Sequence, residues 1–504
     1  MKILFYVQRL DTAYLTESLA REIRHNLEDV KFAALTYHYK PDSVYLREHA
    51  SKVFDIIASE GEMHLEAREV QAQPEEIRRI EETYGIPTIW QFVTQNRFLT
   101  MRNLAYLFRY GSSYSREQIL AHIQHRFQCI EKLLDDFQPD ILIYPEVDVG
   151  PSSALILERV AKQRGIPVLV PISARVGSYH TFTDTVFSQA DHVNKRFKAY
   201  SSGELSYDKE KTRALLERFR EGKISLSYID DELKLNRKES RIDILKRALE
   251  IRTKHSYFKS GDPFYPSHFA YDMALSIMKF RRMRLGWHNF FEQPKENEKF
   301  VYFPLHIEPE IALILYAPFY TDQLSIIRNV AQSLPHDTCL YVKDHVVGQG
   351  RRTLSFYRQI AGIPNVRLLD GRLDSRELIK RSQGVVTITG TAGMEAMLFG
   401  KPVITYGDVF YNVAERLVFH THSFEDTPFL VKHFESFQSC ENEILAFLAA
   451  LVDESVDADP LVLAKAIARA EAGQVEASQS FKNYANFMIG KIQDALEPAL
   501  ESSL

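Results

Sequence analysis

The chain has 504 residues, of which 45% are hydrophobic and 26% charged, and this length predicts two or three domains rather than a single core. Its net charge is −5, from 62 basic and 67 acidic residues, so no overall basic field favours nucleic acid as a partner. The three cysteines, Cys129, Cys339 and Cys440, match no zinc or disulfide spacing, which favours a reducing compartment.

The first apolar run, Ile3–Val7, has the pattern of a buried strand, because Gln8 and Arg9 interrupt it. A secretory signal would continue with a longer apolar core and a small-residue cleavage site. The sequence contains no run of about 18 apolar residues, so it predicts no membrane-spanning helix. We therefore expect a cytoplasmic protein.

The first half of the chain alternates predicted strands with predicted helices. The apolar runs are continuous rather than alternating, as in parallel sheets that helices cover on both faces. We predict a doubly wound domain over residues 1–293, with helical insertions at about 60–135 and 205–291. The strands are Ile3–Val7, Val30–Thr36, Ile141–Tyr144 and Val168–Val170, and the helices are Thr16–Asn26 and Ser152–Arg164.

The segment 278–291 is both basic and aromatic, from Met278 to Phe291. It suits a linker helix packed between two domains. Arginine and lysine beside tryptophan and phenylalanine also suit a peripheral contact with a membrane that carries a lipid-linked acceptor. Both interpretations stay open from the sequence.

A second α/β series follows the polar break at 294–299, with apolar runs from Phe300–Pro304 to Val403–Tyr406. We predict a second doubly wound domain over 294–430, and helices over 431–504 that fold back across the first domain. Two Rossmann-type domains in tandem that face a cleft describe the GT-B architecture. The predicted fold class is therefore α/β and GT-B-like.

The segment 385–396 carries a small, glycine-rich turn between a strand and a helix that begins at about Gly393. Backbone N–H groups at a helix start attract phosphate, and small residues let the backbone approach it. Gly390 and Gly393 permit that approach. Thr389 and Thr391 offer hydroxyl groups, and Glu395, predicted in the first turn, suits ribose hydroxyls. An ordinary tight turn with a capping glutamate is the alternative.

Two other strand ends in this domain carry polar side chains. His306, Glu308 and Glu310 follow the first strand, and alternation puts them on one side if the segment stays extended. A polar loop is the alternative. At the second strand end, Lys343, His345 and Arg351 supply positive charge for a phosphate leaving group, unless they form a solvated basic loop.

The motifs of residues 300–411 resemble those of the bacterial capsule polysaccharide biosynthesis proteins, a group that includes β-Kdo transferases using CMP-Kdo. The shared segments are Tyr302–Glu310, Lys343–Arg351 and Thr387–Ile404. Val346 stands where the family usually has proline, and Glu308 where it usually has glutamine. The resemblance implies that this domain binds a nucleotide sugar, with a CMP-sugar favoured over a UDP-sugar and no further cofactor.

The N-terminal domain is expected to supply the acceptor site and a catalytic carboxylate. Glu146 and Asp148 follow an apolar strand and suit a general base or a nucleophile, or else they cap the helix that starts near Ser152. Arg175 suits a sugar carboxylate or phosphate, unless it is a surface arginine. Asp11 follows the first strand, at a common acceptor position. We predict no metal site.

These observations predict a glycosyltransferase that moves a sugar, such as Kdo or another acidic sugar, from a nucleotide donor to a surface polysaccharide or a lipid-linked glycan. A UDP-GlcNAc 2-epimerase-like enzyme is one alternative, because epimerases share this architecture. A non-catalytic subunit of a glycan-assembly complex is the other.

Overall fold

The computed structural model describes residues 1–37, 41–94, 96, 99, 114–145, 153–224, 278, 281, 284, 285, 290–308, 310–471 and 475–501. These residues form two sheets with helices on both faces. The strands are β1 Lys2–Val7, β2 Lys31–Thr36, β3 Ile56–Ser59, β4 Ile141–Ile143, β5 Val168–Ser173, β6 Tyr179–Thr183, β7 Phe300–Pro304, β8 Cys339–Lys343, β9 Val366–Leu369, β10 Val385–Thr387, β11 Val403–Thr405, β12 Val418–His420 and β13 Val456–Asp457.

The helices bury apolar faces against these sheets, and several begin at a side-chain cap. Ser115 and Gln118 form a reciprocal capping box, and Thr353 caps the helix that follows it. The helices are α1 Leu10–Asn26, α2 Pro41–His49, α3 Glu60–Glu66, α4 Pro74–Thr83, α5 Trp90–Thr94, α6 Arg116–Phe137, α7 Ala154–Gln163, α8 Asp191–Ser202, α9 Lys209–Arg220, α10 Ile311–Ile314, α11 Gln323–Gln332, α12 Leu354–Ala361, α13 Ser375–Arg381, α14 Thr391–Leu398, α15 Thr427–His433, α16 Glu441–Asp453, α17 Pro460–Ala466 and α18 Gln479–Glu501.

The second sheet has the strand order β12-β11-β10-β7-β8-β9, and all its neighbouring pairs are parallel. Numbered from its first strand, this is the 3-2-1-4-5-6 order of a Rossmann domain. The order reverses between β7 and β10. Ligands of such sheets bind at that switch point, outside the carboxyl ends of the strands.

The N-terminal sheet has the order β13-β6-β5-β4-β1-β2-β3, in which β1 to β5 are parallel. Its switch point lies between β1 and β4. β6 is antiparallel to β5, and β13 is antiparallel to β6. The two sheets confirm the predicted α/β, GT-B-like fold class.

The C-terminal part of the chain returns to the N-terminal sheet, as predicted. Phe481, Tyr484 and Met488 of α18 lie in the same buried core as Ile3 and Phe5 of β1. Residues after 430 are not uniformly helical, however, because Val456 and Asp457 pair with β6 as a short edge strand. A two-residue strand leaves no periodic pattern in a sequence, so it was missed.

The predicted strands of both sheets are confirmed to within a few residues, whereas β3, β6, β12 and β13 were not predicted. The described residues of the 60–135 insertion are mostly helical, and most of 205–291 lies outside the described residues.

In the segment 278–291, Met278 and Leu285 are buried and Arg281 donates to the Arg351 carbonyl oxygen at 2.9 Å. These contacts favour the packed-linker interpretation. The domain boundaries remain a prediction.

Candidate functional site

The candidate site lies at the switch point of the C-terminal sheet, where two strand ends face each other. His306 follows β7, and the glycine-rich turn follows β10. The backbone N–H of Thr389 donates to His306 Nε2 at 3.2 Å. The two motifs that the sequence singled out separately are therefore joined by a direct hydrogen bond.

His306 is a neutral, buried imidazole. Burial lowers its pKa to about 3, with further lowering by the charges of Arg175 and Arg352. Because Nε2 accepts from Thr389, the ring proton resides on Nδ1. That atom is buried and has no hydrogen-bond partner among the described residues. His306 thus positions the turn through its Nε2 atom.

The two glycines of the turn are required by close contacts. A Cβ atom on Gly390 would lie 2.7 Å from Thr387 Oγ1, and one on Gly393 would lie 2.6 Å from the Tyr411 hydroxyl oxygen. α14 begins at Thr391 with Gly390 as its N-cap, and no side chain caps the helix. Among the described residues, this helix start carries no side-chain cap, and uncapped helix starts favour phosphate.

Thr389 positions the turn rather than offering a free hydroxyl. Its Oγ1 donates to the Ala312 carbonyl oxygen at 2.8 Å, and its backbone N–H donates to His306. Both of its protons are therefore used within the protein. This differs from the expectation that the Thr389 hydroxyl donates to phosphate.

Arg175 reaches this turn from the N-terminal sheet. It lies between β5 and β6 with a φ of 56°, and its Nη1 donates to the Thr389 carbonyl oxygen at 3.0 Å. Its guanidinium carbon lies 5.7 Å and 5.5 Å from the ring centroids of Phe410 and Tyr411. Arg175 is thus held across the cleft, and it is not a solvated surface arginine.

Lys343 and Glu395 are opposite charges buried near each other, at the end of β8 and in the second turn of α14. Burial raises the pKa of Glu395 to about 7, while Arg376 and Lys343 oppose that rise. Burial lowers the pKa of Lys343, and the nearby Asp344 and Glu395 oppose that change. Because α14 begins two residues earlier than expected, Glu395 is in the second turn, not the first.

His345 contributes no fixed positive charge. Burial lowers its pKa to about 3, with further lowering by Lys343 and Arg352. His345 is therefore a neutral ring that can form hydrogen bonds, and not the positive charge for a phosphate that the sequence predicted. Arg351 is half-buried beside it. Glu310 is the N-cap residue of the short helix α10, and its side chain makes no cap hydrogen bond.

A buried network behind the site was not predicted. Arg352 forms an ion pair with Asp344 at 2.5 Å and also donates to the His306 carbonyl oxygen. Tyr357 donates to Asp344 Oδ2 at 2.8 Å. Gln323 accepts from the His306 backbone N–H at 2.7 Å and donates to Glu308. His306 and Glu308 therefore share one buried environment, and Glu308 serves this network.

The catalytic candidates of the N-terminal domain, Glu146 and Asp148, lie outside the described residues. Asp11 is described in the first turn of α1, where Arg9 Nε donates to its Oδ1 at 3.1 Å. Its role remains a prediction. Both segments follow β1 or β4, the strands that flank the N-terminal switch point.

A second buried polar cluster lies in the N-terminal domain and was also missed. Arg126 and Glu60 are both fully buried, with Arg126 Nη1 3.5 Å from Glu60 Oε2. The rings of His64 and His122 stack with centroids 4.4 Å apart. Burial and the Arg126 charge lower the pKa of His64 to about 2 and that of His122 to about 3.

The strand orders and the phosphate-type turn define a GT-B-like protein with one nucleotide-binding candidate site. Residues 238–415 match the family model described as capsule polysaccharide biosynthesis protein. This part of the chain therefore carries that family's signature, and the resemblance drawn from residues 300–411 is confirmed.

One curated relative, Protein FixF of Sinorhizobium fredii, is 32% identical over 123 residues. The match covers 23% of this chain and 28% of FixF, so it spans less than a third of that protein's length.

Two solved structures are similar in fold at low sequence identity. UDP-GlcNAc 2-epimerase from Neisseria meningitidis, bound to UDP-GlcNAc, is 12% identical with a TM-score of 0.29, covering 94% of this chain and 100% of that chain. KpsC from Thermosulfurimonas dismutans, a β Kdo 2,7 transferase, is 15% identical with a TM-score of 0.32, covering 64% and 80%. At these scores, the fold assignment rests on the strand orders of the two sheets.

Across the described part of the chain, no helix is both long and apolar enough to cross a membrane.

Proposed function

We propose that this protein is a glycosyltransferase that moves a sugar, such as Kdo or another acidic sugar, from a nucleotide donor to a surface polysaccharide or a lipid-linked glycan. The observation that carries the proposal is the meeting of three elements at one switch point. There the His306 ring, the glycine-rich turn and Arg175 contact one another across the cleft. The family match over 238–415 supports it.

In this proposal, the donor phosphate lies at the start of α14, over Gly390 and Gly393. The N–H groups of the first turn, including that of Thr391, donate to its oxygens. Lys343 and Arg351 supply charge to the leaving group. No metal is needed for that step, because these fixed cations do what a bound metal does in other transferases.

The remaining polar groups orient the rest of the donor. Glu395 accepts hydrogen bonds from the ribose hydroxyls when it is ionised. His306, His345 and Glu310 border the phosphate and sugar, and Arg175 pairs with an acidic group of the donor or the acceptor. The CMP-sugar preference follows from the resemblance to the capsule proteins.

On the acceptor side, Glu146 or Asp148 acts as the catalytic carboxylate, and Asp11 contacts the acceptor. A carboxylate there either removes a proton from the acceptor hydroxyl, which inverts the anomeric carbon, or forms a glycosyl intermediate, which retains its configuration. A cytoplasmic, peripheral location would give the enzyme access to a lipid-linked acceptor.

The first experiment is a thermal-shift screen against CMP, UDP, GDP and dTDP. A ligand at 100 times its Kd stabilises the folded chain by about 2.7 kcal/mol, which moves the melting temperature measurably. We expect the largest shift with CMP. The Gly393→Ala variant should lose most of the shift, because its Cβ atom would crowd the Tyr411 hydroxyl at the phosphate turn.

Gly490→Ala is the matched control, because a Cβ atom at Gly490 meets nothing within 4 Å. It should keep the full ligand shift. A shift with UDP alone would move the donor to a UDP-sugar, and NMR of UDP-GlcNAc incubated with the protein would then detect epimerisation. No shift with any nucleotide would contradict the proposal and favour the non-catalytic subunit.

A further inference from the structure

Three potential ligand atoms converge beside the candidate site, after strands β11 and β12. Asp408 follows β11, His420 ends β12, and His422 lies two residues further on. His420 Nε2 is 3.3 Å from Asp408 Oδ1 and 3.3 Å from His422 Nε2. His422 Nε2 is 4.0 Å from the same carboxylate oxygen.

These separations match the edges of a tetrahedral metal site. With Zn–N distances of about 2.0–2.1 Å and Zn–O distances of about 2.0–2.2 Å, two tetrahedral ligand atoms lie about 3.3–3.5 Å apart. Two of the three observed separations have this length. The third is longer, and the His422 side chain, which is 66% exposed, can rotate to close it.

A chain of hydrogen bonds fixes which nitrogen of His420 has a lone pair. Asn412 Nδ2 donates to the Gly407 carbonyl oxygen at 3.1 Å, so Asn412 Oδ1 is the acceptor for Thr405 Oγ1 at 2.9 Å. Thr405 has then used its single proton, and its contact with His420 Nδ1 at 3.2 Å requires the proton on that nitrogen. His420 Nε2 is left with a lone pair in the neutral ring.

That lone pair faces the carboxylate of Asp408. In the neutral ring, a proton on His422 Nε2 satisfies His420 Nε2, but the lone pair still opposes the negatively charged oxygen at 3.3 Å, unless His420 takes a second proton and donates to Asp408. A metal ion among the three atoms removes this repulsion. The Thr405 contact is also what a metal-bound histidine needs, because a partner on the second nitrogen fixes the tautomer and the ring orientation.

We propose that Asp408, His420 and His422 form a binding site for a divalent first-row transition metal of the Zn²⁺ class. Two imidazoles and one carboxylate are ligands that this class prefers. Asp408 and His422 are 54% and 66% exposed, so the fourth position opens to solvent and takes water. This site is separate from the phosphate turn and goes beyond the proposed transferase activity.

The metal would tie the β11 loop to the β12 loop next to the candidate site. Asp408 donates its backbone N–H to the Tyr316 carbonyl oxygen at 2.9 Å. The adjacent Gly407 packs so closely on Thr389 and Ala317 that a Cβ atom there would collide with both side chains. Metal binding is therefore expected to stabilise the wall against which the phosphate turn packs.

A second group of potential ligands, Glu66, His125 and Cys129, must be separated from the first in any test. His125 Nε2 is 3.1 Å from Glu66 Oε2 and 3.3 Å from Cys129 Sγ, so one nitrogen makes both contacts. Ordinary hydrogen bonds account for this arrangement. The Cys129→Ser variant removes its thiolate ligand and serves as the parent for the experiment.

The experiment is a calorimetric titration of the chelator-treated Cys129→Ser chain with Zn²⁺, followed by Co²⁺ absorption spectroscopy. We expect one Zn²⁺ per chain and a Co²⁺ spectrum with tetrahedral d–d bands but no thiolate charge-transfer band. His422→Ala and Asp408→Asn should each weaken Zn²⁺ binding at least about tenfold, the lower end of the losses seen when a site's supporting groups are removed. Unchanged metal-free melting curves would show that these exposed substitutions leave the fold intact.

His336→Ala is the matched control, because His336 is an exposed histidine away from the cluster, and it should leave Zn²⁺ binding unchanged. Absence of Zn²⁺ binding to the Cys129→Ser parent would overturn the proposal. Equal binding by His422→Ala would also overturn it. If the chain binds Zn²⁺ but no nucleotide, the transferase proposal is wrong and the metal-site proposal stands.

Discussion

Two buried arginines, one in each domain, differ in how their charge is compensated. Arg352 forms an ion pair with Asp344 and donates to the His306 carbonyl oxygen. Arg126 is equally buried, but none of its three side-chain nitrogens has a hydrogen-bond partner among the described residues. Its ion pair with Glu60 is longer, at 3.5 Å.

The difference separates a hydrogen-bonded network from an ion pair whose arginine makes no hydrogen bond to the described residues. The Arg352 network is closed by Tyr357 and holds the two strand ends that carry His306 and Lys343. Burial and, to a smaller extent, the Arg126 charge lower the pKa values of the two neighbouring histidines.

The largest expected effect on stability comes from removing Arg352 from its buried network. Arg352→Ala leaves Asp344 buried without its cation, and removal of one partner of a buried pair typically destabilises a protein by about 3–5 kcal/mol. We expect a loss of that size in the free energy of unfolding, measured by urea denaturation. Arg358→Ala changes an exposed arginine on α12, the helix that follows Arg352; it is the control and should change stability by less than about 0.5 kcal/mol.

The second effect concerns the buried carboxylate of the same domain. The pKa of Glu395 is about 7, above its ordinary value of 4.5. Between these pH values, the folded chain holds a proton that the unfolded chain has released, so stability falls as the pH rises. At 1.36 kcal/mol per pKa unit, Glu395 should cost the chain about 2.5 kcal/mol of stability at pH 8 relative to pH 5, because part of the effect is already present at pH 5.

Glu395→Gln keeps the side-chain volume and removes this titration. Urea denaturation at pH 5 and pH 8 should show the variant gaining stability over the parent only at the higher pH. A constant difference between variant and parent across this pH range would contradict the raised pKa.

The smallest effect on stability is expected at the cluster of Arg126 and Glu60. Arg126→Met removes a charge that makes no hydrogen bond, and it relieves the cost of five buried N–H donors. Glu60 stays buried without its cation, which is costly, but the pair is long at 3.5 Å and the relief of the donors offsets part of that cost. We expect a smaller loss of stability than for Arg352→Ala in the same urea assay. A loss as large as that of Arg352→Ala would erase the distinction between the two clusters.

The sequence predicted the backbone frame of the candidate site better than its side-chain contacts. The apolar runs located the strand ends at His306, Lys343 and the glycine-rich turn, because ligand sites of parallel sheets follow from strand position. Which of the adjacent residues Arg351 and Arg352 points inward depends on the turn at 346–348 and on Asp344, so no periodic pattern could choose between them.

Long-range pairs were beyond the sequence for the same reason. Arg126 lies on a helix whose pattern does not distinguish it from a solvated arginine, and its burial depends on Glu60, which is far away in the chain. The contact of Arg175 with Thr389 crosses between two sheets. Such pairs are specified by tertiary packing, which local propensity does not encode.

The return of the chain to its first sheet constrains how the cleft can open. The polypeptide enters the second sheet at Phe300 and returns to the first at Val456, where β13 pairs with β6. The chain therefore connects the two sheets at two places instead of one. Arg175 and Thr389 can therefore separate less freely than they could if a single linker joined the two sheets.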